Sequence, residues 1–505
     1  MYDLIIKGAA VLDGSGSEAF VSDVAVLDGK ISKIGEGLTG ARRVIDASGL
    51  TLSPGFIDSH SHSDRQFISC PDMREKVEQG ITFSIGGQCG DSEAPRAKDG
   101  KIFKMSEYLS EAALVPQGSG AGTLVGFNTI RKAVMAMENR EPTKEELLLM
   151  CELARDAVRG GAIGMSYGVF YVPACYAKTD ELVAVARAVG EEGGILAAHI
   201  RSEGDELIES VEEFLHIIKE SGCRAVFSHH KAQDRCNWGK VKESLALIDK
   251  AIAEGADIYL DVYPYTASST TMLARFCPGM LHPEGTKNAL DLLYDPEMCE
   301  KLKKWGREKW GDDLSWTLVS ACQGYPEYQG KTVSEIAALM GEADQYEAAL
   351  EIIRMTKGKA RGSFFMMCEE DVEYVIRHPR AMICTDSGVA GGSGVYHPRL
   401  RASFPRAVGV YARERGVVTV PEMIRKMTSL PAHVYGLKNK GLVREGMDAD
   451  LCIFDRERIK DRADFVNFSE KNEGLSYVII GGEAVLRDGV YNGERRGEIY
   501  RSSKS

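Results

Sequence analysis

Eight short apolar runs, each followed by a polar or helical stretch, constrain the fold of this chain more than any other feature. The runs lie near residues 53–62, 81–89, 123–127, 161–166, 194–199, 224–229, 256–263 and 380–386. Stretches with helical character, such as 143–159 and 205–221, lie between them. Strands that alternate with helices are typical of parallel sheets. Eight such units predict an α/β fold built on a (β/α)8 TIM-like barrel.

Two parts of the chain depart from the barrel pattern. Residues 1–56 and 438–505 consist of short apolar runs separated by turn signals. Because chain ends often lie close together, we predict that both ends form one small β-sandwich domain, with residues 57–437 forming the barrel. The stretch 264–379 is too long for one crossover. We therefore predict a helical insertion between strands seven and eight, at about 275–355, where it would act as a lid.

Composition argues against several classes of protein. The net charge of −12 argues against a nucleic-acid surface. The apolar runs are shorter than a membrane span requires, and the first residues lack the basic and apolar segments of a signal peptide. Twelve cysteines without a small-domain framework are typical of reduced thiols. We expect a cytoplasmic protein that acts on a small molecule and binds neither nucleic acid nor membrane. The oligomeric state stays open.

Metal-binding residue types stand at the ends of several predicted strands. His60 and His62 end the first strand, and alternate residues of a strand point to the same side. Such a pair suits a divalent metal, although two polar residues in a turn would give the same pattern. Other strand ends carry Cys89, His199, the pair His229 and His230, and Asp386. Because all strands of a parallel barrel open onto one face, we predict that these side chains converge on a metal site, except for His230, which should face away from His229 on the strand.

Longer motifs surround these residues. They are PGFIDSHSH at 54–62, GQCG at 87–90, SHHK at 228–231, DVYPYTA at 261–267, HPR at 397–399 and FPR at 404–406. The chain carries these motifs and, over nearly its whole length, resembles the D-aminoacylase (N-acyl-D-amino-acid deacylase) family of the amidohydrolase superfamily. The resemblance implies zinc-dependent hydrolysis of the amide bond of N-acyl-D-amino acids, which gives a carboxylate and a free D-amino acid. The preference for the D series is implied by the resemblance alone.

The resemblance also implies a metal site residue by residue. Cys89, His199 and His229 would form one tight Zn²⁺ site. His60 and His62 would form a weaker second site, with Cys89 between the metals and Asp386 nearby. One thiolate and two imidazoles leave the fourth position of a catalytic zinc open to water. Whether one or two metals are needed stays open.

Catalytic and substrate-binding roles follow for four further residues. We interpret Asp386 as the general acid and base, because a carboxylate beside the activated water can pass its proton to the leaving nitrogen. The alternative is that Asp386 caps the following helix. The resemblance implies that Lys231, Tyr265 and Arg399 bind the substrate carboxylate. Without it, Arg399 would be interpreted as a surface residue.

The sequence departs from its relatives at two places. Many relatives carry a carbamylated lysine on the fourth strand, but residues 162–166 include no lysine, and Cys89 is the alternative bridge. Phe127 stands where relatives usually have a histidine. Two alternatives stay open: a cyclic-amide hydrolase of the hydantoinase or dihydroorotase type, and an inactive metal-bound scaffold. The missing lysine argues against a cyclic-amide hydrolase, and the intact Asp386 argues against an inactive scaffold.

Overall fold

The computed structural model describes residues 1–98, 100–390 and 396–502. Within them, eight parallel strands occupy the eight predicted runs: β1 (Phe56–Asp58), β2 (Ile81–Gly86), β3 (Gly120–Thr123 and Val125–Gly126), β4 (Gly164–Gly168), β5 (Ile195–His199), β6 (Ala225–Phe227), β7 (Ile258–Val262) and β8 (Ala381–Ile383). Each pairs with the next strand along the chain. The Asp386 amide donates to the carbonyl oxygen of His60 at 2.9 Å, so the carboxyl ends of β8 and β1 meet. The predicted α/β class is confirmed.

Helices connect these strands on the outside. They are Arg74–Val77, Met105–Ala112, Phe127–Met135, Lys144–Arg159, Thr179–Glu191, Leu207–Ser221, Val241–Ala253 and Glu369–Arg377, followed after β8 by Arg399–Arg406, a π-helical segment Ala407–Glu414, Val420–Met427 and Ser429–Val434. The helix Lys144–Arg159 begins with a capping box, in which Thr143 and Glu146 satisfy each other's backbone amides. The helix Leu207–Ser221 ends at Gly222, whose φ of +68° is accessible to glycine without strain.

The interior of the strand ring is filled with side chains. Ile57, Phe83, Ile195, Val226 and Met382 belong to one buried cluster, contributed by five different strands. A packed interior leaves space for ligands at the carboxyl ends of the strands, where the connecting loops begin.

The strands from both chain ends pair with each other. In the described part of the chain they form a nine-stranded sheet from Tyr2–Val11, Phe20–Leu27, Lys30–Gly35, Ala41–Asp46, Thr51–Pro54, Leu451–Phe454, Leu475–Ile480, Glu483–Arg487 and Val490–Tyr491. Leu4 and Ile6 share one buried cluster with Leu451 and Ile453. The alternate residues Cys452 and Phe454 belong instead to the large cluster that includes Phe56 of β1. At the strand Leu451–Phe454, the sheet is therefore buried on both faces.

The long segment between β7 and β8 is not only helical, contrary to our prediction. Besides the helices Met272–Phe276, Pro296–Trp310, Val333–Met340 and Gln345–Met355, its described residues form a three-stranded antiparallel sheet of Ala267–Thr271, Arg361–Phe365 and Thr317–Ala321. The first of these strands reads ASSTT, and its polar sequence lacks the apolar alternation by which strands are recognised. Its partner is almost one hundred residues away in the chain. The segment has its own buried cluster, which includes Phe276, Leu302 and Tyr346.

Across the part of the chain that the structure describes, no helix combines the length and apolarity needed to cross a bilayer. A cytoplasmic location stays a prediction.

Candidate metal centre and active site

A cavity of about 650 Å³ opens at the carboxyl ends of the parallel strands. Its wall includes seven of the nine residues that the sequence analysis selected: His62, Cys89, His199, His229, Lys231, Asp386 and Arg399. His60 is fully buried directly behind Cys89, with its Nε2 atom 3.3 Å from Sγ. Residues that are more than three hundred positions apart in the chain therefore meet at one site.

Cys89, His199 and His229 form a compact group of metal-ligand types. Their ligand atoms all lie within 4.8 Å of one another. His229 Nε2 is 3.3 Å from Cys89 Sγ and 3.0 Å from His199 Nδ1. One sulfur and two imidazole nitrogens are the number and type of protein ligands that a catalytic zinc uses. The donor set of this group therefore fits Zn²⁺.

A second group of potential ligands adjoins the first. It comprises His60, His62, Cys89 and Asp386, again with ligand atoms within 4.8 Å of one another. Asp386 Oδ1 is 3.0 Å from His62 Nε2 and 3.6 Å from His60 Nε2. Cys89 belongs to both groups, so its sulfur lies between two neighbouring positions that could each hold a cation.

The backbone bends sharply at three of these residues. Cys89, His229 and Asp386 have φ angles of +53°, +36° and +47°, a region that residues with a side chain rarely adopt. Such conformations cost about 1–3 kcal/mol each and concentrate at functional sites. After Cys89, the chain requires glycine, because a Cβ atom on Gly90 would lie 1.8 Å from Asn128 Oδ1. At each of the three positions, the side chain that follows from this backbone conformation lines the cavity.

The charges around Cys89 favour its thiolate form. Burial alone would raise the pKa of the thiol, but the neighbouring imidazoles of His60 and His229 hold that pKa well below its usual value. Burial and the charge of Lys231 oppose protonation of His229, yet Glu203 and Cys89 raise its pKa to about 9. A thiolate among imidazoles is the environment in which cysteine binds metals.

Two carboxylates hold the far side of these imidazoles. Glu203 Oε1 is 2.9 Å from His229 Nδ1, and the same carboxylate pairs with the ammonium group of Lys231. Asp261 Oδ2 is 3.3 Å from His60 Nδ1, and its Oδ1 accepts the backbone N–H of His229 at 2.6 Å. Carboxylates in this position fix the orientation of ligand imidazoles. The sequence analysis assigned no role to either residue. Asp261 precedes the last residue of β7, so a search of strand ends would have found it.

The three residues expected to bind the substrate carboxylate are placed differently from one another. Lys231 and Arg399 both line the cavity. Between them lies Tyr263, with Lys231 Nζ 5.6 Å and Arg399 Cζ 4.7 Å from the centre of its ring. Tyr265 is buried outside the described cavity wall, with Arg406 Cζ 4.9 Å from its ring centre. Tyr263, which the sequence analysis did not select, lines the cavity between the two cations, whereas Tyr265 does not line it.

The structure also places two residues, Phe127 and His230, that the sequence analysis had considered. Phe127, where a histidine was expected, is fully buried at the start of a helix, and the next residue, Asn128, lines the cavity. His230 points away from the metal ligands, with its Nε2 2.9 Å from the hydroxyl of Ser244, and burial lowers its pKa to about 3.

Comparisons with known proteins agree with this geometry. Residues 43–486 match the model of the "Amidohydrolase family". The chain is 33% identical to the D-aminoacylase of Alcaligenes xylosoxydans xylosoxydans, over 99% of this chain and 97% of that one. It is 34% identical to the N-acyl-D-aspartate deacylase of the same organism, over 98% and 93%. The solved N-acyl-D-glutamate deacylase of Bordetella bronchiseptica, complexed with zinc and a phosphonate inhibitor, is 32% identical with a TM-score of 0.85, over 99% of this chain and 100% of that one.

Proposed function

Because the chain belongs to the amidohydrolase family, we propose that it is a zinc-dependent enzyme that hydrolyses the amide bond of N-acyl-D-amino acids. The products are a carboxylate and a free D-amino acid. The family prediction made from the motifs is confirmed by relatives that match nearly the whole chain. The observation that carries the proposal is the pair of adjoining ligand groups that share Cys89 at the base of one cavity.

In this proposal, Cys89, His199 and His229 hold the tightly bound Zn²⁺. His60, His62 and Asp386 contribute to a weaker second site beside Cys89. When bound, zinc supplies Lewis acidity, which polarises the amide carbonyl and makes water a stronger acid. Glu203 and Asp261 keep the imidazoles oriented through their outer nitrogens, as the distances above suggest.

Asp386 moves the proton of the reaction. Its carboxylate lies beside both ligand groups and accepts a proton from the attacking water. It then donates that proton to the nitrogen of the departing amine, which leaves as the free amino acid. Burial opposes ionisation of Asp386, but Arg399 and the neighbouring imidazoles hold its pKa well below the usual value. The group is therefore ready as a base.

Arg399 and Lys231 bind the α-carboxylate of the substrate. Arg399 Nη1 is buried 2.8 Å from Asp386 Oδ2, in an ion pair at the cavity wall. A planar guanidinium has several N–H groups and can bind a second carboxylate that arrives with the substrate. Lys231, paired with Glu203, adds a second positive charge near the ring of Tyr263.

The architecture that supports this site is also part of the proposal. We assign residues 57–437 to the (β/α)8 barrel and residues 1–56 with 438–505 to a β-sandwich. Support for the sandwich comes from the shared core of strands from both chain ends, in which Leu4 and Ile6 cluster with Leu451 and Ile453.

One panel of substrates tests the proposed activity. N-acetyl amino acids of both enantiomers and hydantoin are incubated with the zinc-loaded enzyme and with chelator-treated enzyme. We expect turnover of D substrates that depends on zinc. Turnover of hydantoin alone would favour the cyclic-amide alternative, and full zinc occupancy without any turnover would favour an inactive scaffold.

A further inference from the structure

Arg361 is a cation of the cavity for which the described part of the chain offers no acidic partner. It begins the strand Arg361–Phe365 of the inserted sheet and lines the cavity. Three of the other cavity cations have a carboxylate partner: Arg399 lies beside Asp386, Lys231 pairs with Glu203, and Arg275 pairs with Asp234. For Arg361, the described ranges of the chain provide neither a hydrogen bond from its guanidinium nor an ion pair. Its charge is therefore available to a ligand.

The charge of the whole cavity points the same way. Six Lys and Arg side chains line it, against four Asp and Glu side chains: Arg65, Lys132, Lys231, Arg275, Arg361 and Arg399, against Asp64, Asp91, Glu203 and Asp386. Arg275 is balanced by Asp234 outside the wall, and the Cys89 thiolate adds one negative charge, so the wall is close to neutral without a cation at the ligand groups. Each divalent cation held there would add two positive charges, which the carboxylates of a substrate would help to balance.

The wall around Arg361 is polar. Thr271 is its partner across the sheet, and Ser269, Thr270, Thr271 and Ser320 line the cavity with it. Hydroxyl groups and a guanidinium are donors that suit carboxylate oxygens.

Arg361 is also close enough to Arg399 for the two to influence each other. The surrounding protein and the positive charge of Arg399 both lower the pKa of the Arg361 guanidinium. Yet Arg361 is exposed to solvent, as expected for a group that projects into a cavity. Two guanidinium groups that repel each other across one cavity are both stabilised when a dianion binds between them.

We propose that Arg361, with the hydroxyls beside it, binds a carboxylate in the substrate's side chain, so that the enzyme prefers N-acyl derivatives of acidic D-amino acids. This inference rests on the proposed deacylase function. Overall similarity does not decide the matter, because the relatives named for D-glutamate, D-aspartate and D-amino acids in general are 32%, 34% and 33% identical to this chain. The assignment depends on the unpaired cation and the polar wall.

The test compares substrates that differ by one charge. We would measure kcat/KM for N-acetyl-D-glutamate and for its near-isosteric neutral analogue N-acetyl-D-glutamine, with N-acetyl-D-methionine as an apolar substrate. The parent should prefer the glutamate. Arg361→Gln should lower the glutamate-to-glutamine ratio by roughly 5-fold or more, the loss expected for an ion pair that stays partly accessible to solvent. Arg361→Lys should retain part of the preference, because it keeps the charge but loses the bidentate fork.

A matched control is Arg377→Gln, which removes an exposed arginine whose ion partner is Glu373 on the same helix. It should leave the substrate ratio unchanged. An equal loss on all three substrates in Arg361→Gln would mean that Arg361 binds the α-carboxylate or supports the insertion, and would overturn the inference. So would a parent enzyme that hydrolyses N-acetyl-D-methionine and shows no preference for glutamate over glutamine.

If the proposed deacylase function itself were wrong, the parent enzyme would hydrolyse none of the three substrates. That result is distinct from the results that would overturn the role of Arg361 alone. Should Arg361→Gln fail to fold, as judged by its thermal melt, the parent's substrate ratio and that of Arg361→Lys still decide the inference.

Discussion

Replacing Asp386 with asparagine should separate proton transfer from metal binding. Asparagine has almost the same shape, so the packing of a side chain that is only 8% exposed should persist. The amide cannot accept a proton from water and return it to the leaving nitrogen. Asp386 Oδ1 is 3.0 Å from His62 Nε2, a contact that an amide oxygen can preserve. Zinc held by Cys89, His199 and His229 should therefore remain.

The size of the effect follows from the role. Loss of a general acid and base typically lowers kcat about 10²–10⁴-fold. At about 1.36 kcal/mol for each factor of ten, the barrier should rise by about 2.7–5.4 kcal/mol. The structure also predicts the direction of KM. Because Arg399 Nη1 is 2.8 Å from Asp386 Oδ2, removal of the negative charge frees the guanidinium for the substrate carboxylate. KM should stay unchanged or fall.

The assay measures kcat and KM for an N-acetyl-D-amino acid together with the zinc content of the purified protein. Asp371→Asn is a matched control, since Asp371 is a buried carboxylate outside the cavity that accepts the backbone N–H of Gly239. It should affect stability more than kcat. A kcat of Asp386→Asn within a few-fold of the parent, at equal zinc content, would refute the proton-transfer role. A loss confined to KM would refute it as well.

Three further substitutions test other parts of the site. Cys89→Ala should lose bound zinc and activity while remaining folded, whereas Cys322→Ala, which removes a buried thiol of the inserted segment, should keep both; zinc retained in full by Cys89→Ala would disprove its ligand role. Glu203→Gln should weaken zinc affinity or activity about 10–100-fold, measured by competition with a chelator, and an unchanged affinity and rate would mean that Glu203 does not orient His229. Arg399→Met should abolish most of the parent's preference for an N-acetyl-D-amino acid over the corresponding N-acetyl amine, at a cost of about 2–5 kcal/mol; equal losses on both compounds would assign Arg399 to the fold.

The strand pattern was sufficient to predict the α/β class and that most of the candidate ligands meet at the carboxyl ends of the strands. A strand's carboxyl end is a local feature of the sequence, and the barrel rule converts it into a position in space. Cys89, His199 and His229 could therefore be grouped although each lies on a different strand. This grouping required no knowledge of the distances between the three residues.

Residues outside the strand ends could not be predicted in this way. Glu203 lies four positions after His199 in a loop, and Arg361 lies on a strand of the insertion whose partner is distant in the chain. The position of Tyr265 relative to the cavity could not be predicted from its place after β7. Its backbone N–H donates to the carbonyl oxygen of Tyr263 at 2.9 Å, a tight turn that interrupts the extended backbone between the two tyrosines.

The fourth strand connects the departure from the relatives to the role of Cys89. Ser166 ends the predicted run and stands in β4. Its hydroxyl donates to the carbonyl oxygen of Gly87 at 2.5 Å and accepts the N–H of Gly90 at 2.9 Å. Ser166 thus holds both sides of the turn that carries Cys89 in its left-handed conformation. A lysine at this position would remove these two bonds, so the serine on β4 and the thiol after β2 are parts of one arrangement.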